Sequence, residues 1–275
     1  YAGAVSKTFI IYPKTTAGVT VTASTTIAGK MTVRWNRDSK ATGYMLEYAT
    51  SSDFEDVKSV RISNNLTVAK TFDNLEEGTR YYVKVASYVL EDNVRYIGNY
   101  SAAKSVVIKK DFSVGTIGKQ VYNGKYLKPE VAVTNSGTVL TKGTDYKLSY
   151  TNNLKPGKAT VTITGIGAYA GIVKRTFIIM PKQAVLTSVK RVLNTFTATW
   201  NEDANATGYK LQYSTDKAFN SNVKTININD KDDNIKIVSG LTKGKTYYVR
   251  VASYKTIDGT KYYGSYSAVK SVTIK

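Results

Sequence analysis

Trp35–Tyr48 reads WNRDSKATGYMLEY, and Trp200–Tyr213 reads WNEDANATGYKLQY, the same phrase 165 residues further on. Within the first copy, Tyr44, Leu46 and Tyr48 fall on every second residue, so an extended chain carries them on one face. Immediately upstream, Met31-Thr-Val-Arg-Trp35 alternates apolar and polar, and downstream Tyr81, Val83 and Val85 do the same. A period of two marks half-buried antiparallel strands. Around the first phrase it predicts strands over 19–24, 31–35, 44–49, 58–62, 67–72, 80–88 and 102–108. No segment shows a helical stripe, and the chain reads as all-β.

The repetition extends well beyond that phrase. LEEGTRYYVKVASY (Leu75–Tyr88) returns as LTKGKTYYVRVASY (Leu241–Tyr254), and GNYSAAKSVVIK (Gly98–Lys109) returns as GSYSAVKSVTIK (Gly264–Lys275). The opening YAGAVSKTFIIYPK (residues 1–14) returns as YAGIVKRTFIIMPK (residues 169–182). Long self-similarity of this kind marks an array of modules. The expected order is the last strand of one module type over 1–14, a full module of a second type over 15–110, a full copy of the first type over 111–182, and the second type again over 183–275. On this reading the chain belongs to a longer parent, and Thr8-Phe-Ile-Ile-Tyr12 is a β-prone strand without its own sheet, expected to fray or to pair with an edge strand of a neighbour.

Several of these residues resemble the fibronectin type III domain. Trp35 and Trp200 close a second strand, Tyr44/Tyr48 and Tyr209/Tyr213 mark a third, and Leu-x-x-Gly-x-x-Tyr precedes a Val-x-Val strand. The resemblance implies that Tyr81 and Tyr247 form tyrosine corners, their phenols bonding back to the chain, and that Trp35 and Trp200 sit in the sandwich cores. Residues 111–182 resemble the small Ig-like β-sandwich repeats of Gram-positive surface proteins, through Val121-Tyr-Asn-Gly, Asp145-Tyr-Lys-Leu-Ser-Tyr and Gly165-Ile-Gly-Ala-Tyr-Ala-Gly. Together the resemblances imply tandem Ig-like and fibronectin type III β-sandwiches of a non-catalytic, extracellular or wall-attached kind.

Composition narrows the chemistry. The chain has no Cys and no His, which removes disulfides, thiolate nucleophiles, His bases and the usual zinc ligands. No apolar run is long enough to span a membrane. Net charge is +19, spread along the chain: 15 basic residues against 10 acidic up to residue 110, 10 against 3 over 111–182, and 14 against 7 thereafter. Lys outnumbers Arg 31 to 8, which disfavours specific nucleic-acid readout, where the planar Arg fork is preferred. A diffuse attraction to an anionic wall polymer or polysaccharide fits better.

Three candidate sites stand out. Asp230, Asp232 and Asn234 occupy positions 1, 3 and 5 of a calcium loop, but Ile235 replaces the required Gly and Leu241 the bidentate Glu, so the run reads as a solvated turn. Glu76–Glu77 and Asp232–Asp233 are paired acids in turn-like segments with no cleft around them, so no catalytic pair is assigned. Glu91–Asn99 and Ile257–Ser265, the second with an Asp-Gly hairpin signal, are expected loops in which Tyr96, Tyr262 and Tyr263, beside Arg95 and Lys261, would stack on a sugar ring and meet an anionic substituent. The alternative, that these Tyr pack on strand ends, stays open. Three Asn-x-Ser/Thr sequons, at Asn65, Asn99 and Asn205, matter only in a eukaryotic secretory pathway.

The sequence thus favours a spacer that needs no cofactor or metal and presents neighbouring domains of a longer bacterial surface protein. Its short connections, 13–17 and 181–184, predict a semi-extended rod. The alternative is an adhesive module that binds carbohydrate through the basic Tyr-bearing loops.

Overall fold

The computed structural model describes residues 4–275, and every regular element among them is a β-strand. The first module contains β1 (Thr20–Ala23), β2 (Met31–Arg34), β3 (Gly43–Ala49), β4 (Lys58–Ile62), β5 (Ala69–Phe72), β6 (Arg80–Glu91), β7 (Val94–Ile97) and β8 (Lys104–Val107). One sheet runs β1-β2-β5, the other β4-β3-β6-β7 with β8 also on β6, and every pairing is antiparallel. Met31, Val33, Tyr44, Leu46, Val83 and Val85, the residues of the predicted alternation, line the space between the sheets and are fully buried. This is a fibronectin type III-like sandwich.

The middle segment holds β9 (Ser113–Val114), β10 (Gln120–Val121), β11 (Val133–Asn135), β12 (Thr138–Val139), β13 (Tyr146–Thr151), β14 (Gly157–Gly165) and β15 (Ile172–Met180). They form sheets of order β12-β11-β9 and β10-β15-β14-β13, with β10 parallel to β15. The last module repeats the first: β16 (Leu186–Val192), β17 (Thr195–Trp200), β18 (Gly208–Ser214), β19 (Lys224–Ile228), β20 (Ile235–Val238), β21 (Thr246–Ile257), β22 (Thr260–Tyr263) and β23 (Lys270–Thr273). Its sheets run β16-β17-β20 and β19-β18-β21-β22, with β23 on β21.

By packing, the chain divides into two compact units. One comprises the chain up to Val114 with Val133–Lys147 and Ile163–Val173; the other comprises Gly115–Ala132, Leu148–Thr162 and Lys174–Lys275.

The repeated Thr-Gly-Tyr has a steric reason. A Cβ built on Gly208 would fall 2.1 Å from the carbonyl oxygen of Ile228, and one on Gly43 would fall 2.1 Å from that of Ile62. Only glycine lets β18 and β3 begin so close to the neighbouring strand. The next residue, Tyr209 or Tyr44, is fully buried, and its ring meets that of Trp200 or Trp35 edge-on, with centroids 5.4 and 5.3 Å apart. The tyrosine corners form too: the Tyr247 hydroxyl accepts the Thr242 N–H at 3.0 Å and the Tyr81 hydroxyl accepts the Glu76 N–H at 3.3 Å.

The structure refines the sequence reading at the Tyr-bearing loops and accords with it at the orphaned opening strand. The Asp258-Gly259 hairpin signal is realised as the β21–β22 hairpin, and the expected loop 91–99 is a tight hairpin too, β6–β7, because Asp92 and Asn93, like Asp258 and Gly259, take positive φ and close a short turn. The opening phrase falls partly on residues 1–3, outside the described residues. Its Thr8–Tyr12 part forms no strand, and Phe9 is 80% exposed. In the second copy of the phrase, Phe177 lies in β15 between β10 and β14 and is 2% exposed. The same residues are a strand only where flanking strands supply backbone partners.

The Gly208→Ala variant is expected to lose about 1–3 kcal/mol of stability by overpacking, read from urea denaturation of the full chain. Gly118→Ala, where an added Cβ meets nothing within 4 Å, should change it little. Equal effects from the two would show that the close approach is unimportant.

Candidate functional site

The residues proposed from the sequence for ligand contact occupy β7 and β22 and their turns, and each is engaged. Tyr96 meets Tyr12 edge-on at 5.9 Å, and the exposed Arg95 guanidinium stands 5.2 Å from the Tyr88 ring. Tyr262 is covered by the Lys119 ammonium at 5.3 Å. Tyr263 packs on Tyr254 at 5.5 Å and carries the Lys210 ammonium at 3.8 Å. Lys261 bonds Asn229 Oδ1 at 3.1 Å and stands 4.3 Å from the Tyr254 ring. As neighbours on one strand, Tyr262 and Tyr263 face opposite sides of the sheet. They form no common stacking platform.

The calcium-like run is a turn: the Asp232 N–H donates to Asp230 Oδ1 at 3.0 Å, and the Asp232 carboxylate pairs with Lys231.

What sequence reading missed lies on the β19-β18-β21 face of the last module. Arg250 on β21 stands directly opposite Gln212 on β18, and its Nε and Nη2 donate to Gln212 Oε1 at 3.0 and 2.8 Å. Its guanidinium lies between two rings, 4.0 Å from the Phe219 centroid and 4.1 Å from that of Tyr266. The Lys210 ammonium stands 5.2 Å from the same Tyr266 ring and so continues the row to Tyr263. Cation and aromatic side chains alternate along this face.

Phe219 takes φ +59°, a conformation costly for a bulky side chain. The turn that enforces it is built on Asp216, whose carboxylate accepts the N–H groups of Ala218 at 2.9 Å, Asn220 at 2.9 Å and Ser221 at 3.1 Å. Those bonds, from Ala218 first and then Asn220, hold its pKa below the ordinary value. The first module repeats the device: the Asp56 carboxylate accepts the Thr50 hydroxyl at 2.6 Å and N–H at 3.0 Å, Phe54 has φ +63°, and its ring carries the Lys84 ammonium at 4.1 Å. The Thr50 hydroxyl, then its N–H, lowers the Asp56 pKa strongly.

The modules differ where Gln212 stands in one and Glu47 in the other. Glu47 pairs with Lys84 at 3.1 Å and accepts the Tyr100 hydroxyl at 2.6 Å. Burial, and then the bond to Glu47, pushes the Tyr100 pKa up. The first module's cation is neutralised internally. In the last module, none of the ion pairs among the described residues involves Arg250 or Lys210.

Because the Asp56 and Asp216 pKa values are lowered in the folded chain, their stabilisation is present above the unfolded-state carboxylate pKa. It is lost as pH falls through the folded values. Thermal denaturation followed from pH 6 down to pH 2 should show a falling midpoint, and the fall should be shallower in an Asp56→Asn, Asp216→Asn variant. An unchanged slope in that variant would remove these two turns from the acid response.

No protein-family model matches the chain, and no curated protein matches it. Among solved structures, the FN1–FN3 domains of chicken CNTN1 align over 96% of this chain and 100% of theirs, at 11% identity and a TM-score of 0.32. The two-domain fibronectin type III segment of chicken tenascin aligns over 94% of this chain and 98% of its own, at 12% identity and a TM-score of 0.28. The fibronectin type III-like character of the two sandwiches rests on their own strand order and tyrosine corners.

Proposed function

We propose that the chain is a non-catalytic spacer of a secreted or wall-associated bacterial protein, holding other domains at a distance. The observation that carries this reading is that chain entering and leaving the middle segment is bonded in place. In the first unit, the Lys110 N–H donates to Ala168 O and the Ala170 N–H to Lys110 O, both at 2.9 Å, while the Gly171 N–H donates to Thr25 O at 3.1 Å. The Lys109 ammonium bonds Gly167 O, and Glu77 accepts the Asp111 N–H. In the second unit, Gln183 Nε2 donates to Tyr266 O at 2.8 Å, the Ser253 hydroxyl donates to Lys182 O at 3.3 Å, and Lys158 pairs with Asp258.

A free linker leaves its backbone groups to water and its ends free to reorient. Here the connecting residues spend their donors on the adjoining module, which suits a part that transmits position rather than one that moves. The engagement of Tyr96, Tyr262 and Tyr263 with neighbouring side chains supports the spacer over adhesion through those loops.

Hydrogen exchange on the full chain tests the reading. The amides of Lys110, Ala170 and Gly171 should exchange as slowly as those of the β3–β6 ladder. Stretching the chain between its ends should then give discrete unfolding steps without earlier smooth lengthening. Fast exchange at those amides would make the junctions loose tethers and overturn the spacer.

A further inference from the structure

We infer that the cation–aromatic face of the last module is a binding site for an acidic polysaccharide, with Arg250 as its central group. The inference goes beyond the spacer reading and stands or falls separately from it.

The first argument is preorganisation. A free Arg side chain loses considerable rotamer entropy when it binds. Arg250 has already lost it: two rings sandwich the guanidinium, and Gln212 Oε1 takes its Nε and one terminal nitrogen. The remaining terminal N–H groups stay available in a fixed plane. A planar fork held in this way suits a carboxylate or other oxyanion.

The second argument is the contrast between the two modules at the residue across the ladder from the central cation. Lys84 occupies the position of Arg250, and Glu47 that of Gln212. The first module carries Lys84 and, opposite Met45, Arg61, and answers them with the Glu47 carboxylate; the last carries Arg250 and Lys210, with Asn227 opposite Lys210, and replaces that carboxylate with a neutral amide. A stripe that keeps two cations, and orients one of them, has room for an external anion.

The ligand class follows from what lies in register beside the cations. Thr225 stands opposite Gln212 and Asn227 opposite Lys210, so both share this sheet face, and both are exposed. The face therefore alternates charged donors with neutral hydroxyl and amide groups, the pattern that a polymer of acid-bearing, hydroxyl-rich sugars presents in return. The Tyr263 and Tyr266 rings already carry the chain's own cations. Base stacking, which single-stranded nucleic acids use on protein aromatics, is thereby disfavoured.

The test measures binding of the full chain to polygalacturonate, to neutral dextran and to single-stranded DNA at about 150 mM salt, where attraction between distant exposed charges is largely screened. Polygalacturonate should bind and dextran should not. Gln212→Glu installs the acid that the first module already tolerates, and should weaken polygalacturonate binding about fivefold or more, since each lost contact repeats along a polymer. Arg250→Lys, which keeps the charge and loses the fork, should do the same. Thr22→Glu, at an exposed position of β1 in the first module, makes the same change in net charge and should have little effect. Equal weakening by Gln212→Glu and Thr22→Glu would reduce the effect to diffuse net charge and overturn the site. Absence of polygalacturonate binding would also overturn it, as would DNA binding that is as tight and as sensitive to Gln212→Glu.

Discussion

Each fibronectin type III-like module is organised around one buried aromatic pair, Trp200 with Tyr209 in the last and Trp35 with Tyr44 in the first. The tryptophan stands at the end of the middle strand of one sheet and the tyrosine near the start of a central strand of the other, so their edge-on contact joins the two layers. Burying a tyrosine requires a partner for its hydroxyl. Tyr209 Oη accepts the Asp203 N–H and donates to Lys231 O, both at 2.8 Å, and thereby also fixes two loops. Tyr44 does the same with Asp38 N–H and Asn65 O, at 2.8 and 3.3 Å. Its pocket depends on the preceding glycine, since any side chain there would strike the adjacent carbonyl.

The outer face of the same sheet has a different logic. Along β18 the inward residues Tyr209 and Leu211 alternate with the outward Lys210 and Gln212, so the strand that builds the core also carries half of the charged stripe. The aspartate-built turn after it turns a costly backbone conformation into a fixed position for Phe219. The carboxylate that stabilises this turn thus also places one wall of the guanidinium sandwich. Fold and surface chemistry therefore share their supports.

Spacing and binding are compatible in one chain of this build. The junction bonds draw on backbone groups and on side chains at module ends, while the stripe lies on a sheet face of one module.

The sequence by itself determined the β-class, the two copies of the sandwich and its core. A period of two, the Thr-Gly-Tyr phrase and the Leu-x-x-Gly-x-x-Tyr corner are local patterns, and each has a local cause in strand geometry or steric approach. Position along the chain also located Tyr96, Tyr262 and Tyr263, but not what they touch. Only the tertiary structure decided that segment 91–99 is a hairpin like the Asp-Gly one, and what Tyr262 and Tyr263 pack against on opposite sides of β22. It alone brought Gln212 opposite Arg250, 38 residues away, and set Phe219 and Tyr266 on either side. The reason is physical: strand pairing joins residues distant in sequence, and whether a cation is neutralised or left open depends on the residue across the ladder, which no local pattern records.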